Sequence, residues 1–350
     1  MTVAVDRRQF LLSLPALAMA PAAMAQSSTA QIRMRGLNHV TLTVSDLKRS
    51  VDFYQGLFGM PIQARQGSTL VVLRIGSGPQ SLMLSTGGAN ATPSINHLCV
   101  GVEEFDVDRI LKILADHGIA RTDAAGPMKS HVRMRGPENG GAKEGTAELT
   151  FRDPDGIVVQ LQDPSYCGGA GALGNVCPPL EAAPKKGPIA LRDLSHCTIS
   201  VADSQHSNAF YQELFGMAVR SYQGPTAPTL AVGPRVEFLM FTGGGAARGG
   251  AAAAPPRPAS INHFCMNLEG FNPDQILKTL DSYGIKPREN QTGPVGPMRS
   301  YVSMRMENRG GAKEGTPELY FTDPDGILVQ LQDVSYCGGA GFLGNVCPPV

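Results

Sequence analysis

Residues 37–60 read LNHVTLTVSDLKRSVDFYQGLFGM, and this stretch decides the fold. Apolar and polar residues alternate over residues 39–44, which is the period of two of a β-strand with one buried face. Apolar side chains then recur at helical spacing as far as Phe58, with Ser45 as the predicted helix cap and Gly59 as the predicted end. The stretch therefore predicts a strand followed by an amphipathic helix.

The rest of the chain repeats this pattern. Residues 153–162 (DPDGIVVQLQ) return as residues 323–332 (DPDGILVQLQ), 170 positions later. Residues 165–179 return as residues 335–349 with a single substitution. Each copy also contains two strand–helix openings that are followed by strand-like runs. We predict an α+β protein of four βαβββ units, which form two tandem domains.

The N-terminal segment resembles a secretory signal. Arg7 and Arg8 precede a short apolar segment that ends in an A-x-A site at Ala25, and the arginine pair makes it twin-arginine-like. A membrane anchor is the alternative, but the apolar segment is too short to span a bilayer. We therefore expect a protein that is periplasmic or otherwise exported. The predicted boundaries are residues 1–25 for the signal peptide, 36–177 for the first domain, 178–189 for the linker and 190–347 for the second domain.

The charge balance excludes one class of partner. The 350 residues include 30 Lys and Arg against 30 Asp and Glu, and no basic stripe is present. Nucleic-acid binders depend on a basic surface that neutralises phosphates, so we expect no nucleic-acid partner.

After residue 26 no apolar segment is long enough to span a membrane, so we expect no membrane association once the signal is removed. The expected partner is a small-molecule substrate.

Four of the predicted strands carry a histidine near their start. Side chains alternate across a strand, so each copy places two histidines and a glutamine of its last strand on the polar face, away from the helices. Neutral imidazole binds divalent transition metals, so each polar face is a candidate metal site; hydrogen-bonded structural histidines are the alternative. Each glutamine is either a weak neutral ligand or a polar residue that only lines the pocket. The candidates are His39, His97 and Gln160 in the first copy, and His196, His263 and Gln330 in the second.

Residues 37–60 and the closing segments FRDPDGIVVQL and FTDPDGILVQL resemble the vicinal oxygen chelate superfamily of glyoxalases, bleomycin-resistance proteins and extradiol dioxygenases. The resemblance covers most of residues 36–163 and 190–333. It implies paired βαβββ units around a cupped metal site, with ligands on the first strand of one unit and on the first and last strands of the next. Those positions carry the six candidates, with Gln in both copies where the family usually has Glu.

The resemblance also implies a function. A set of three ligands and a tandem arrangement of copies resemble those of the extradiol dioxygenases. We therefore expect a metal-dependent enzyme that acts on a small oxygen-chelating substrate. Fe(II) is the favoured metal, with Mn, Zn or another divalent ion as alternatives. A glyoxalase-like lyase or isomerase is the second enzymatic hypothesis. A bleomycin-resistance-type protein that sequesters a ligand without metal or turnover is the alternative from another class, and the two glutamines favour it.

Two residues of the second copy are predicted to be catalytic by the same resemblance. The C-terminal copy is the active one in the tandem dioxygenases, and the position of their substrate-binding tyrosine is Tyr320 here and Thr150 in the first copy. An ordinary strand aromatic is the alternative for Tyr320. Glu318, like Glu148, is a candidate for the missing carboxylate or for a general base. A solvated glutamate at the strand edge is the alternative.

Four cysteines lie in matching Gly-rich segments. Nine residues separate Cys167 from Cys177, and nine separate Cys337 from Cys347. In an exported protein we expect one disulfide within each pair, with cross-pairing between the copies and free thiols as the alternatives.

Overall fold

Each copy of the repeat folds into one nine-stranded sheet that carries two helices. The structure is a computed structural model, and it describes residues 31–88, 90–243, 258–290 and 292–347. The first domain contains β1 (Met34–Thr43), α1 (Leu47–Phe58), β2 (Ile62–Gln66), β3 (Leu70–Arg74), β4 (Ser81–Ser85), β5 (Ser94–Val102), α2 (Val107–Asp116), β6 (Ala120–Arg121), β7 (Lys129–Arg135), β8 (Thr146–Arg152) and β9 (Val158–Gln162). The second contains β10 (Asp193–Ser200), α3 (Ser204–Phe215), β11 (Val219–Tyr222), β12 (Pro228–Ala231), β13 (Phe238–Thr242), β14 (Ser260–Leu268), α4 (Pro273–Ser282), β15 (Lys286–Pro287), β16 (Arg299–Arg305), β17 (Thr316–Thr322) and β18 (Leu328–Asp333).

The strand order confirms the predicted βαβββ units. The first sheet runs β2-β3-β4-β1-β5-β9-β8-β7-β6, and the second repeats this order from β11 to β15. In each sheet the opening strands of the two units, β1 with β5 or β10 with β14, lie antiparallel at the centre. The two-residue strands β6 and β15 add one short edge strand that the sequence pattern does not predict. Central placement of the opening strands brings their histidines together.

The start of the first helix differs from the prediction by one residue. Asp46, not Ser45, is the N-cap of α1, and its side chain accepts from the N–H of Arg49 at 3.0 Å. A carboxylate is the stronger acceptor at the positive end of a helix, and it takes the cap position. Ser45 instead donates to Asp325 of the second domain at 2.5 Å. The helix ends at Gly59 as predicted, with a left-handed φ of 68°.

The core lies between the helices and the apolar faces of both sheets. Val40 and Leu42 of β1 are fully buried and belong to the same apolar cluster as Tyr54 of α1. This cluster continues without a break into the second domain. The Tyr54 hydroxyl of α1 donates to Asp323 of the second domain at 3.1 Å. In the equivalent contact, the Tyr211 hydroxyl of α3 donates to Asp153 of the first domain. The repeated DPDG turns therefore hold each domain against a helix of the other.

The segment predicted as a linker packs along the first domain. Glu181 exchanges two backbone hydrogen bonds with Ile62, at 2.8 and 2.9 Å, and the N–H of Ile189 donates to Leu57 at 3.2 Å. The predicted signal peptide lies outside the described residues, as do residues 244–257. Within the described residues, no helix is long and apolar enough to cross a membrane.

The cysteine prediction is confirmed. The structure contains the disulfides Cys167–Cys177 and Cys337–Cys347. The remaining cysteines of the described chain are free and buried; they are Cys99, Cys197 and Cys265.

A buried carboxyl group lies where the domains meet. Glu237 precedes β13 and accepts from the N–H of Leu37 at 2.5 Å and from Gln80 at 3.1 Å. Gln80 is its counterpart in the first domain and accepts from the N–H of Leu194 at 2.6 Å. Burial raises the pKa of Glu237 to about 8, against the lowering effect of these hydrogen bonds and of Arg235.

We expect Glu237→Gln to change the pH dependence of stability. The folded chain keeps Glu237 protonated up to about pH 8, whereas the unfolded chain ionises it near its ordinary pKa of 4.5. Between these values the folded state binds more protons, so this group makes the wild type less stable as pH rises, by up to about 1.4 kcal/mol per pH unit. The free energy of unfolding measured in urea should therefore become more favourable to the variant, relative to the wild type, as pH rises across this window. The exposed Glu269→Gln is the control, and identical pH slopes for wild type and Glu237→Gln would contradict the prediction.

Candidate metal centre

Three neighbouring strands bring the first candidate set together. His39 lies on β1, His97 on β5 and Gln160 on β9, and the β1–β5 and β5–β9 pairings make these strands adjacent. The two imidazole rings are 5.6 Å apart, and Nε2 of His97 lies 3.0 Å from Oε1 of Gln160. We call the polar face that carries these three residues the first cup. Their proximity agrees with the strand alternation, and their role as ligands stays a prediction.

The second set forms a matching arrangement, the second cup. The rings of His196 and His263 are also 5.6 Å apart. Here Nε2 of His196 lies 3.1 Å from Oε1 of Gln330, so the glutamine faces the histidine of the first strand. In the first cup the glutamine faces the histidine of the second strand.

Neighbouring side chains fix the protonation of the ring nitrogens. Nδ1 of His39 lies 2.8 Å from Oδ1 of Asn38, and the amide nitrogen of Asn38 donates to the carbonyl of Tyr166 at 3.0 Å. That second bond orients the amide, so its oxygen faces the ring and Nδ1 must carry the hydrogen. Nε2 of His39 is therefore a bare lone pair, buried and without a hydrogen-bond partner.

Two of the other cup histidines have the same Nδ1 contact, whereas Nδ1 of His196 lies 3.1 Å from the Ser195 hydroxyl. Nδ1 of His97 faces Oδ1 of Asn96 at 2.8 Å, and Nδ1 of His263 faces Oδ1 of Asn262 at 2.8 Å. Burial lowers the pKa of both His97 and His263 to about 4, so both are neutral at physiological pH. Nε2 of His263 also lacks a partner.

These atoms fit a divalent transition metal. In the first cup the two Nε2 atoms and Oε1 of Gln160 are all acceptors, although Nε2 of His97 also lies 3.0 Å from the Thr41 hydroxyl. A metal ion is a group that such a set of acceptors accommodates. A side-chain oxygen on the other ring nitrogen is also the usual support of a ligating histidine. The set carries no formal charge, because it consists of two neutral imidazoles and an amide. Within the described part of the chain, no cluster of three His, Cys, Asp or Glu side chains could hold a metal ion. A neutral set binds more weakly than one with a carboxylate.

A tyrosine of the disulfide-bonded segment packs against one side of each cup, which strand alternation does not predict. Tyr166 is almost fully buried against Ala64, Val72 and Met83 on the polar face of the sheet. Its ring lies 5.6 Å from that of His39. Tyr336 occupies the same place in the second cup, 5.5 Å from His196. The signal was the repeated SYC sequence, in which a tyrosine precedes the first cysteine of each pair.

The interpretation of the paired glutamates as solvated strand-edge residues is wrong. Glu148 is 8% exposed and Glu318 is 3% exposed. Glu148 accepts from Arg135 at 2.6 Å and from the Tyr166 hydroxyl at 2.8 Å, and Arg305 and Tyr336 hold Glu318 in the same way. Alternation along β8 and β17 turns these carboxylates into the cup, where a buried arginine compensates their charge.

Tyr320 lies beside the histidines of the second cup. Its ring stands 5.3 Å from His263 and stacks on Tyr301 at 5.1 Å. Its hydroxyl lies 3.4 Å from Oε2 of Glu318. The catalytic roles of Tyr320 and Glu318 stay predictions.

The first cup opens into a cavity of about 430 Å³. Thr150 stands there in place of Tyr320, and the cavity reaches His97 and Gln160. A small molecule that enters it would contact His97 and Gln160 directly. The lining residues are Ser94, Ile95, Asn96, His97, His131, Arg133, Glu148, Thr150, Arg152, Val158 and Gln160.

A family model agrees with this geometry. The model of the Glyoxalase/Bleomycin resistance protein/Dioxygenase superfamily matches residues 36–161 and 193–331. The two matched segments together cover most of both sheets.

Solved structures of this type share the fold at low sequence identity. The 2,3-dioxygenase LapB from Pseudomonas sp. KL28 is 17% identical, with a TM-score of 0.55 over 91% of this chain and 95% of its own. Homoprotocatechuate 2,3-dioxygenase from Brevibacterium fuscum, complexed with 3,4-dihydroxyphenylacetate, is 17% identical, with a TM-score of 0.57 over 88% and 84%. The Mn(II)-bound glyoxalase from Novosphingobium aromaticivorans is 15% identical, with a TM-score of 0.55 over 86% and 82%. At these identities the similarity shows the fold alone.

Proposed function

The chain belongs to the Glyoxalase/Bleomycin resistance protein/Dioxygenase superfamily, and from that premise we propose that it is an exported, metal-dependent enzyme of the extradiol-dioxygenase type. Its substrate would be a small molecule with two chelating oxygens. The observation that carries the proposal is the bare, buried Nε2 of His39, which converges with two further acceptors and has no donor of the described chain to satisfy it.

His39, His97 and Gln160 would hold the metal in the first cup, and His196, His263 and Gln330 in the second. A bound divalent ion, with Fe(II) favoured, would polarise the chelating oxygens of the substrate and supply the Lewis-acid chemistry that neutral side chains lack. Fe(II) suits oxygen-dependent ring cleavage, for which dioxygen is the co-substrate. Mn(II) occurs in one of the structural relatives and is the alternative.

The surrounding residues would position the substrate. Tyr166 excludes water from one side of the first cup, because its ring packs beside His39. In the second cup we assign substrate contact to Tyr320, and Glu318 accepts from its hydroxyl. Export rests on the two disulfides, which persist in oxidising compartments.

A metal-free binding protein is the second candidate. If the Gln160 amide is turned, its NH₂ group donates to Nε2 of His97 over the same 3.0 Å and satisfies the pair without a cation. A glutamate would not offer that donor when ionised. The glutamines thus favour this candidate, while the unpaired Nε2 of His39 favours the enzyme.

Elemental analysis tests the proposal. The chain without residues 1–25 is purified without chelators and then reconstituted anaerobically with Fe(II), Mn(II) or Zn(II). One or two equivalents of a transition metal support the enzyme. No bound metal after reconstitution overturns it and leaves a ligand-binding protein.

We expect Gln160→Glu to raise the affinity of the first cup for metal by at least about tenfold, since a carboxylate adds a formal charge to a neutral set. Metal competition with a fluorescent chelator measures this change. Gln330→Glu in the second cup provides an independent repeat. A variant that binds metal beside a wild type that binds none would assign the natural chain to the metal-free class.

A further inference from the structure

The two cups share a floor and differ at the mouth. Positions 170 residues apart are equivalent in this part of the repeat, and the floor is the same in both copies: Glu148 and Glu318, Arg135 and Arg305, Tyr166 and Tyr336, Gln160 and Gln330. Differences concentrate on the open face of the two strands that border the cavity. Among the residues of these strands that line the cavity, the four differing pairs are His131 and Tyr301, Arg133 and Ser303, Thr150 and Tyr320, and Arg152 and Thr322.

The mouth of the first cup carries excess positive charge. Arg135 already compensates Glu148 at 2.6 Å, so Arg133, which lies 3.9 Å from the same carboxylate, is left largely free and half exposed. Arg152 donates to the carbonyl of Gly156 at 3.2 Å and makes no ion pair with the described residues. Both arginines line the cavity that reaches Gln160.

Among the described residues, the mouth of the second cup lacks the two free arginines of the first. Tyr301 and Tyr320 stack over the place that the cavity occupies in the first cup, and Tyr320 contacts His263 edge to face. The guanidinium of Arg288 lies over the Tyr301 ring at 4.8 Å and is engaged there. Ser303 and Thr322 replace the two arginines of the first cup.

We propose that the first cup binds a small organic molecule through an oxyanion group, which Arg133 and Arg152 hold at the mouth, and that the second cup lacks this site. The planar forks of two arginines match carboxylate and phosphate oxygens. The assignment of the molecule as substrate rests on the proposed function, whereas the anion contact does not.

Two probes of the same ring test the anion site. Catechol and 3,4-dihydroxybenzoate differ by one carboxylate, and their binding to the chain without residues 1–25 is measured anaerobically by calorimetry. We expect the carboxylate probe to bind at least about tenfold more tightly. Competition by acetate and by inorganic phosphate then distinguishes the two sources: stronger displacement by phosphate assigns a phosphate ligand, and stronger displacement by acetate assigns a carboxylate.

The variant Arg133→Ser/Arg152→Thr installs the residues of the second cup and should abolish the preference. Arg288→Ser removes a cation from the second domain and should preserve it. Any of three results would overturn the inference: equal affinities of the wild type for the two probes, no binding of the carboxylate probe, or a preference that survives in the double variant. Thermal unfolding of each variant excludes a folding defect.

Metal content, measured on the same samples, separates this inference from the proposed function. A preference that depends on the arginines in a metal-free chain supports the anion site and refutes the metalloenzyme.

Discussion

Replacing His97 with alanine is expected to lower the affinity of the first cup for a divalent metal by more than about 100-fold. Loss of a residue that only supports a ligand costs 10- to 100-fold, and loss of a ligand costs more. His97 is the member of the set that faces both Gln160 and the Thr41 hydroxyl at 3.0 Å. Its removal takes away one metal-ligating nitrogen and leaves the Gln160 amide without its neighbouring ring. Metal titration followed by elemental analysis measures the effect, and the second cup should keep its own equivalent.

A matched control uses a histidine outside the cups. His206 is exposed on α3 and belongs to neither candidate set, so His206→Ala should bind metal like the wild type. Unchanged metal content in His97→Ala, with the His206→Ala result equal to it, would refute the metal centre in the first cup. Loss of metal from both cups in His97→Ala would instead show that the variant is misfolded, and unfolding in urea checks that outcome directly.

Strand alternation was sufficient to find the histidines. The period of two along β1 and β5 puts His39 and His97 on one face, and the repeat places both strands at the centre of the sheet. The same rule placed Gln160 beside them. Local pattern and repeat symmetry therefore predict which residues share a face, because both are properties of neighbouring positions in the chain.

Contacts between distant segments were harder to predict. Tyr166 reaches Glu148 across the cup, and no periodicity in either strand indicates that a loop will enter from the C-terminal side. The cap of α1 shows the same limit, because Ser45 is taken by Asp325, 280 positions away. The solvated strand-edge alternative for the glutamates is wrong for the same reason. Burial of Glu148 depends on Arg135, whose position is set by the pairing of β7 with β8.

Arg135→Met is expected to lower the free energy of unfolding by about 3–5 kcal/mol, the usual cost of breaking a buried ion pair by removing one partner. The Arg135 side chain is fully buried and also donates to the carbonyl of Gly169 in the disulfide-bonded segment. Methionine keeps most of the volume, so the loss reports charge rather than a cavity. The remaining Glu148 carboxylate would be buried with only the Tyr166 hydroxyl and the distant Arg133 to compensate it.

The double variant Arg135→Met/Glu148→Gln separates charge from packing. Neutralising Glu148 removes the uncompensated group, so urea unfolding should recover most of the lost stability. Arg133→Met is the matched control, because its exposed guanidinium lies 3.9 Å from the same carboxylate and should cost less than about 1 kcal/mol. If the single variant loses no more than that control, the buried pair does not stabilise the floor of the cup. If the double variant recovers nothing, the loss comes from packing rather than from the uncompensated charge of Glu148.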